Sequence, residues 1–365
     1  KSIYHNPDYA EAYCNLGTAF KDLEKLEQAI SSYNKAISLK PDYAEAYSNM
    51  GVVLQTQGNF VEALKAYHQC ISLKPTYDEA YLNMGVCFQL QGKLNEAIQA
   101  FKMSLLHNPN SAVAYMNIGN ALKDQGKLDE ALIFYNKSIL LNPEYSEAYC
   151  NIGLTFHDQG KFDEAIEVYN KCISLTPNYA EVFVNKGNTL KDLDKSQEAI
   201  EAYQKAISLR PNFALAYSNM GSAFKDLGKL DQSIELYNNA ILLKPNYADA
   251  LNNLSVALQE QSKFDEAIVC LKKAISLKPD FYEAMNNMGN CFRLQGDSQE
   301  AIKLYNNAIL LKPDYAQPHY NLSLSLLSIG KVKEGLDKQE WRWKSQKTLS
   351  QRHFSQPLWD GKESL

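Results

Sequence analysis

The chain has 365 residues, of which 45% are hydrophobic and 22% charged, a balance that is ordinary for a protein that buries a core. Its net charge of -5 argues against a nucleic-acid-binding or anionic-membrane-binding surface, because such surfaces carry clustered Lys and Arg. No stretch approaches the ~18 consecutive apolar residues of a membrane-spanning helix. We therefore expect neither a nucleic-acid partner nor a membrane-embedded segment.

Prolines recur along the chain at intervals of 34 residues. Ten of the 12 prolines lie on this ladder: Pro7, Pro41, Pro75, Pro109, Pro143, Pro177, Pro211, Pro245, Pro279 and Pro313. A fixed period of this length indicates a stack of identical supersecondary repeats. With Ala10 as position 1, we expect residues 1–9 to end a preceding repeat. Residues 10–315 then form nine repeats, 316–344 a degenerate tenth or capping repeat, and 345–365 a tail.

Each repeat carries two helix patterns in succession. Apolar residues at positions 4, 7, 8 and 11 predict a first helix, and those at 17, 20, 21, 24, 27 and 28 predict a second. Glycine at position 15 (for example Gly58) suits the turn between them, where a positive φ costs Gly little. Proline at position 32 predicts the end of the second helix. The segment Asp42–Glu45 predicts a side-chain cap at the next helix start.

Small and aromatic residues recur at fixed positions of the repeat. Glycine at position 8 (such as Gly51) and alanine at position 20 (such as Ala63) allow the two helices to approach closely. Tyr or Phe fills positions 4 and 24 in most repeats. The seven cysteines include two pairs that share a repeat position, Cys70 with Cys172 and Cys87 with Cys291. We interpret them as small buried residues, which fits a reducing, cytoplasmic location.

Together these positions resemble the consensus of the tetratricopeptide repeat across essentially the whole chain. The resemblance implies an all-α fold, a right-handed superhelix of about ten helix-turn-helix repeats. It also implies that the first helices line a concave groove that holds proteins or extended peptides.

Asparagine occupies position 6 of all ten repeats. The residues are Asn15, Asn49, Asn83, Asn117, Asn151, Asn185, Asn219, Asn253, Asn287 and Asn321. Asn is roughly 0.6 kcal/mol worse than Ala inside a helix, so its regular presence needs a reason. Positions 2, 6, 9 and 13 form a stripe apart from the packing stripe. A side-chain amide there could pair with a peptide backbone, or it could bond a neighbouring helix.

The segment from Asn117 to Ala131 is similar to the repeat region of O-linked N-acetylglucosamine transferases. In that family an asparagine ladder, helped by acidic residues, binds the substrate backbone. The resemblance implies a peptide-binding role for the ten asparagines, and position 13 supplies matching acids at Asp124, Asp158, Asp192 and Asp226. The Lys-Asp pairs at positions 12 and 13 predict a solvated edge of mixed charge, with selection of partner side chains as the alternative.

Residues that could catalyse a reaction or bind a cofactor are not grouped in this sequence. The six histidines share no repeat position and no metal-ligand spacing. We therefore expect a non-catalytic binding chain without a cofactor. The segment from Glu340 to Gly361, with three tryptophans, is similar to the junction that precedes the catalytic domain in bacterial repeat proteins of glycosyltransferase type. The alternative is a capping helix followed by an ordinary aromatic tail. A substrate-recruiting arm of such an enzyme and a stand-alone assembly scaffold both remain open.

The repeat pattern weakens near its end. The eighth repeat has Ser255 in place of Gly and Leu271 in place of the second aromatic residue. The tenth has His319 and Gln339 at aromatic positions, as expected for a terminal repeat with one solvent-exposed face. We expect one of Trp341 and Trp343 to dock on this last repeat. The other, with Phe354, Pro357 and Trp359, would contact a following domain.

Overall fold

The computed structural model describes residues 8–342, and within this range every regular element is an α-helix. The chain divides into two compact units, 1–189 and 190–365. The first contains α1 (Ala10–Asp22), α2 (Leu26–Leu39), α3 (Ala44–Thr56), α4 (Phe60–Leu73), α5 (Asp78–Leu90), α6 (Leu94–His107), α7 (Ala112–Asp124), α8 (Leu128–Leu141), α9 (Ser146–Asp158) and α10 (Phe162–Leu175). Helix α11 (Ala180–Asp192) spans the boundary. The second contains α12 (Ser196–Leu209), α13 (Ala214–Asp226), α14 (Leu230–Leu243), α15 (Ala248–Glu260), α16 (Phe264–Leu277), α17 (Tyr282–Leu294), α18 (Ser298–Leu311), α19 (Ala316–Ser328) and α20 (Val332–Gln339).

The helices follow one another as first and second helices of ten repeats, which confirms the expected all-α repeat fold. In each compact unit a first helix packs on the second helix of its repeat and on the first helix of the next. The second helices end two residues before the recurrent proline, as α2 does at Leu39 before Pro41. The reason is that proline disfavours helical backbone at the residue before it.

The turn inside each repeat requires a left-handed residue at position 15. Seven glycines adopt positive φ there, between 71° at Gly228 and 89° at Gly296, as predicted from the sequence. The remaining three repeats place Glu24, Asp194 and Ser262 at the same position with φ of 57–60°. The turn is therefore imposed by the packing of the two helices even where the residue is not glycine.

The cap predicted at Asp42 is wrong. Helix α3 begins at Ala44 behind Tyr43, and no side chain caps it. The backbone closes the first turn instead, where the Ala46 amide donates to the Tyr43 carbonyl at 3.1 Å. Side-chain caps do occur at Ser111 and Asp297, whose oxygens accept bonds from backbone amides three residues later.

The core of most repeats contains a contact between an aromatic ring and a glycine. Tyr67 is fully buried, and a Cβ atom added at Gly51 would lie 2.6 Å from its Cε1 atom. Gly17 meets the buried ring of Tyr33 in the same way, at 2.7 Å. The glycine at position 8 therefore permits α3 and α4 to approach until the ring touches backbone.

The cysteines are packing residues, as the sequence predicts. All seven are free, and six are buried. Burial raises the pKa of the Cys70 thiol to about 11 and those of Cys172 and Cys291 to about 12, so these thiols stay protonated.

Trp341 docks on the last repeat. Its ring stacks on that of His319 with centroids 3.9 Å apart and planes 7° apart, and His319 is buried. This confirms that one of the two neighbouring tryptophans covers the end of the stack. Trp343, Phe354, Pro357 and Trp359, like the predicted tail at 345–365 and most of residues 1–9, lie outside the described residues.

The ring-glycine contact predicts a strong dependence of one position on the other. Gly51→Ala should lower the free energy of unfolding by about 1–3 kcal/mol, because the new methyl group overlaps the Tyr67 ring. The same substitution in a Tyr67→Leu background should cost less than about 1 kcal/mol, because the eighth repeat already combines Ser255 with Leu271. Urea unfolding followed by circular dichroism measures both, with Tyr67→Leu alone as the reference. An equal cost in the two backgrounds would contradict the assignment.

Candidate functional site

The asparagines at position 6 lie on one face of the first helices. At 3.6 residues per turn, positions 2, 5, 6, 9, 12 and 13 fall within about a third of the helix circumference. We call this the ladder face; it is opposite to positions 4, 7, 8 and 11, which pack on the second helix. Among the ten asparagines, Asn15 is exposed, Asn321 is buried, and the others are partly exposed.

In the first compact unit, three ladder amides donate hydrogen bonds to the preceding first helix. Asn151 Nδ2 donates to Asn120 Oδ1 at 2.9 Å. Asn49 and Asn185 donate to the sulfur atoms of Cys14 and Cys150, at 3.7 Å and 3.5 Å. The acceptors occupy position 5 or position 9 of the preceding repeat, so the amides connect successive repeats.

The second compact unit repeats this arrangement. Asn287 Nδ2 donates to Asn252 Oδ1 at 2.9 Å. Asn321 Nδ2 lies 2.9 Å from both Asn286 Oδ1 and Asn290 Oδ1. In all five of these repeats the Nδ2 atom of the ladder asparagine donates to the first helix of the preceding repeat.

Buried tyrosines of the second helices hold some of these acceptors in place. Tyr135 donates its hydroxyl hydrogen to Asn120 Oδ1 at 2.8 Å, and Tyr305 donates to Asn290 Oδ1 at 2.8 Å. Burial raises the pKa of Tyr305 to about 12, so the hydroxyl stays a donor at neutral pH. The oxygens of Asn120 and Asn290 are thereby oriented from the core of their own repeats.

Asn83 and Asn117 differ from these five. Neither forms a side-chain hydrogen bond within residues 8–342, and the same holds for Asn15 and Asn253. Positions 5 and 9 before Asn117 are Leu82 and Val86, which have no acceptor atom. The ladder is therefore anchored in some repeats and unanchored in others.

The acidic residues at position 13 form ion pairs and hydrogen bonds between repeats. Lys123 Nζ lies 3.2 Å from Asp158 Oδ2, and Lys191 Nζ lies 3.4 Å from Asp226 Oδ2. Gln89 Nε2 donates to Asp124 Oδ2 at 3.1 Å. Asp158 is 43% exposed and Asp226 36%, so each pair contributes at most about 1 kcal/mol. This agrees with a solvated edge of mixed charge.

The described part of the chain contains no cluster of His, Cys, Asp and Glu that could hold a metal ion. Its histidines have separate surroundings, such as the Tyr81 ring against His107 and the Trp341 ring on His319. None of the described helices combines the length and the apolar character needed to cross a membrane.

The acceptors of the ladder amides are not predicted by the repeat pattern. Cys14 and Cys150 have the residue type of small buried positions, and Asn120 and Asn290 share position 9 with apolar residues in other repeats. A signal existed in the doubled asparagines at positions 5 and 6, Asn252-Asn253 and Asn286-Asn287, because position 5 borders the ladder.

Models of the tetratricopeptide repeat match the chain from residue 17 to residue 315. The model described as TPR repeat matches residues 17–58, 187–228 and 221–262. Three models described as tetratricopeptide repeat match residues 44–77, 78–111, 110–177, 168–201, 248–281 and 282–315. No curated protein gives a significant match.

Solved structures show the same fold. The chain is similar to one in the crystal structure of the APC/C hetero-tetramer Cut9-Hcn1, at 16% identity and a TM-score of 0.58, over 87% of this chain and 76% of that one. It is similar to PilF of Pseudomonas aeruginosa at 17% identity and a TM-score of 0.50, over 57% of this chain and 94% of that one. The chain is also similar to YrrB, at 26% identity over 52% of this chain and 97% of that one. The YrrB structure is described as a TPR protein with an unusual peptide-binding site. Its TM-score of 0.41 is too low to support an inference.

The repeated helix pairs, the left-handed turn at position 15 and the matching repeat models lead to one assignment. The chain belongs to the tetratricopeptide-repeat family, whose fold is generally a non-catalytic scaffold for protein–protein interaction.

Proposed function

We propose that this chain binds extended polypeptide along the ladder face, through hydrogen bonds from the peptide backbone to the ladder asparagines. The observation that supports this most directly is the orientation of the anchored amides. Their Nδ2 atoms donate to the preceding repeat, and the Oδ1 atoms of Asn49, Asn151 and Asn185 accept no bond from the described residues. A carbonyl oxygen of this kind accepts a hydrogen bond from a peptide N–H.

Anchoring favours binding because it fixes the side chain before the partner arrives. An ordered interface side chain costs about 0.5–1.5 kcal/mol when it must be immobilised on binding. The bond from Asn151 to Asn120, itself held by Tyr135, reduces that cost. The structural role of these amides and a role in binding therefore support each other.

The spacing of the repeats suits an extended chain. Packed helices lie about 8–10 Å apart, and an extended peptide advances about 3.3 Å per residue. Every third residue of the peptide would then meet one ladder asparagine. Contacts to the backbone tolerate many peptide sequences, as a general recruiting surface requires.

We propose further that this region recruits substrates for a glycosyltransferase-like domain of the same polypeptide. The support is the sequence resemblance at Asn117–Ala131 and at residues 340–361. Sequencing of the full-length transcript tests this proposal: we expect a glycosyltransferase-like domain in the same reading frame after Leu365. A stop codon directly after Leu365 would instead favour the stand-alone scaffold.

Backbone recognition predicts sensitivity to N-methylation of the peptide. A fluorescent 15-residue peptide of Ser, Thr and Gly should bind at least about tenfold more weakly after N-methylation of every third residue, because the N–H donors are lost. Fluorescence anisotropy with the full chain measures the affinity, and a scrambled peptide of the same composition serves as the control. Equal affinity of the methylated and unmethylated peptides would exclude backbone pairing as the binding mode.

Anchored and unanchored asparagines should differ in stability when replaced. Asn117→Ala should raise the free energy of unfolding by about 0.5 kcal/mol, because Ala is the better helix former. Asn151→Ala should lower it by about 0.5 kcal/mol, since the lost hydrogen bond outweighs the same gain. The two variants occupy the same position in adjacent repeats and are each other's control in urea unfolding. Shifts of the same sign and size would show that the inter-repeat bond contributes nothing.

A further inference from the structure

Helix α5 carries apolar residues on both of its faces. Met84, Gly85 and Phe88 occupy the packing face, as in every first helix. Leu82 and Val86, at positions 5 and 9 of the ladder face, are partly exposed, and Leu90, at position 13, is 60% exposed. The three follow one another at intervals of four residues, so they form a continuous stripe along the helix.

The stripe continues onto the next first helix, α7, which contacts α5. Val113 at position 2 is 42% exposed, and Met116 at position 5 is partly exposed. Leu82, Val86 and Met116 all pack against the same core cluster. We call the five residues Leu82, Val86, Leu90, Val113 and Met116 the apolar strip.

The apolar strip departs from the pattern of the other repeats. Position 13 is acidic in six of the ten repeats: Asp22, Asp124, Asp158, Asp192, Asp226 and Glu260. Position 2 is Glu or Asp in seven. The helix packing inside the repeat does not require Leu90 or Val113, since both are exposed and most other repeats carry a charged residue at the same position. Exposed apolar side chains of this kind, together with the partly exposed Leu82, Val86 and Met116, indicate a contact surface.

Two ladder asparagines border the apolar strip. Asn83 and Asn117, like Asn15 and Asn253, form no side-chain hydrogen bond within residues 8–342, and Leu82 and Val86 occupy the two positions before Asn117 where other repeats supply an acceptor. Both amide groups therefore keep their hydrogen-bonding capacity for a partner. A strip of apolar side chains between two such amides matches an extended peptide, which presents backbone N–H and C=O groups together with side chains.

We infer that the apolar strip binds apolar side chains of an extended peptide, and that it selects peptides with two large apolar residues about three positions apart. The inference rests on the proposed peptide-binding function and adds a sequence preference to it. The interval follows from the helix spacing of about 8–10 Å between α5 and α7 and the rise of about 3.3 Å per peptide residue. Backbone pairing to Asn83 and Asn117 would set the register of the peptide.

The test uses substitutions that the chain itself contains at equivalent positions. Leu90→Asp combined with Val113→Glu gives the strip the charged residues found at positions 13 and 2 elsewhere. Both residues are exposed, so the fold should tolerate the change, and circular dichroism with a thermal melt verifies this. Leu294→Asp is the matched control, because Leu294 is a 52% exposed residue at position 13 outside the strip.

Two fluorescent probes are compared on the full chain by anisotropy. One is a 15-residue peptide of Ser, Thr and Gly, and the other is the same peptide with two Leu residues three positions apart. The Leu peptide should bind the unsubstituted chain about tenfold more tightly. The double variant should lose this preference and still bind the polar peptide, and Leu294→Asp should retain both properties.

The outcomes separate the inference from the function on which it rests. Equal affinity of the unsubstituted chain for the two peptides would overturn the apolar preference and leave backbone binding intact. A preference that survives in the double variant would also overturn it. If neither peptide binds, the proposed peptide-binding function fails, and the inference fails with it.

Discussion

The contact between the ring at position 24 and the glycine at position 8 is the constraint on which the other features of this fold depend. Tyr67 against Gly51 leaves no room for a methyl group, so the distance between the two helices of a repeat is set by ring thickness. Where the ring is absent, the glycine is absent as well: the eighth repeat has Leu271 at position 24 and Ser255 at position 8. In the last repeat the close approach moves to Gly335, where an added Cβ atom would lie 2.7 Å from Leu327 Cγ.

Successive first helices also lie within hydrogen-bonding distance of each other. The amide of Asn151 reaches Asn120, 31 residues earlier, and Asn185 reaches Cys150, 35 residues earlier. A net contribution of about 1 kcal/mol from such a bond offsets the roughly 0.6 kcal/mol by which Asn disfavours a helix. The asparagine at position 6 is thus compatible with stability in the anchored repeats. At Asn15, Asn83, Asn117 and Asn253, which form no side-chain hydrogen bond, its cost has no compensation within the described residues.

Much of this structure could be predicted from the sequence because it depends on local periodicity. The 34-residue proline interval, the apolar stripes and the turn glycines gave the helices, their order and the left-handed position 15. The cap at Asp42 was wrong because the motif lies one residue too early, and α3 starts behind Tyr43. The acceptors of the ladder amides could not be predicted, since a partner 31 or 35 residues away depends on the rotation of one helix against the next. The apolar strip could not be predicted from the repeat pattern, because Leu90 and Val113 stand at positions that are charged in most repeats.

The ladder face is consequently not uniform, and its differences follow from the acceptors that each preceding repeat supplies. Cys14, Asn120 and Cys150 bind the amide hydrogens of the following asparagine and leave its oxygen for a partner. In the tenth repeat the oxygen of Asn321 also accepts a bond from Gln317, at 3.3 Å, and Asn321 is buried. The oxygens that accept no bond from the described residues therefore include those of repeats two to six, on either side of the apolar strip. A peptide lying there would meet oriented acceptors for its backbone and an apolar surface for its side chains, so that affinity and selectivity would come from different residues of the same face.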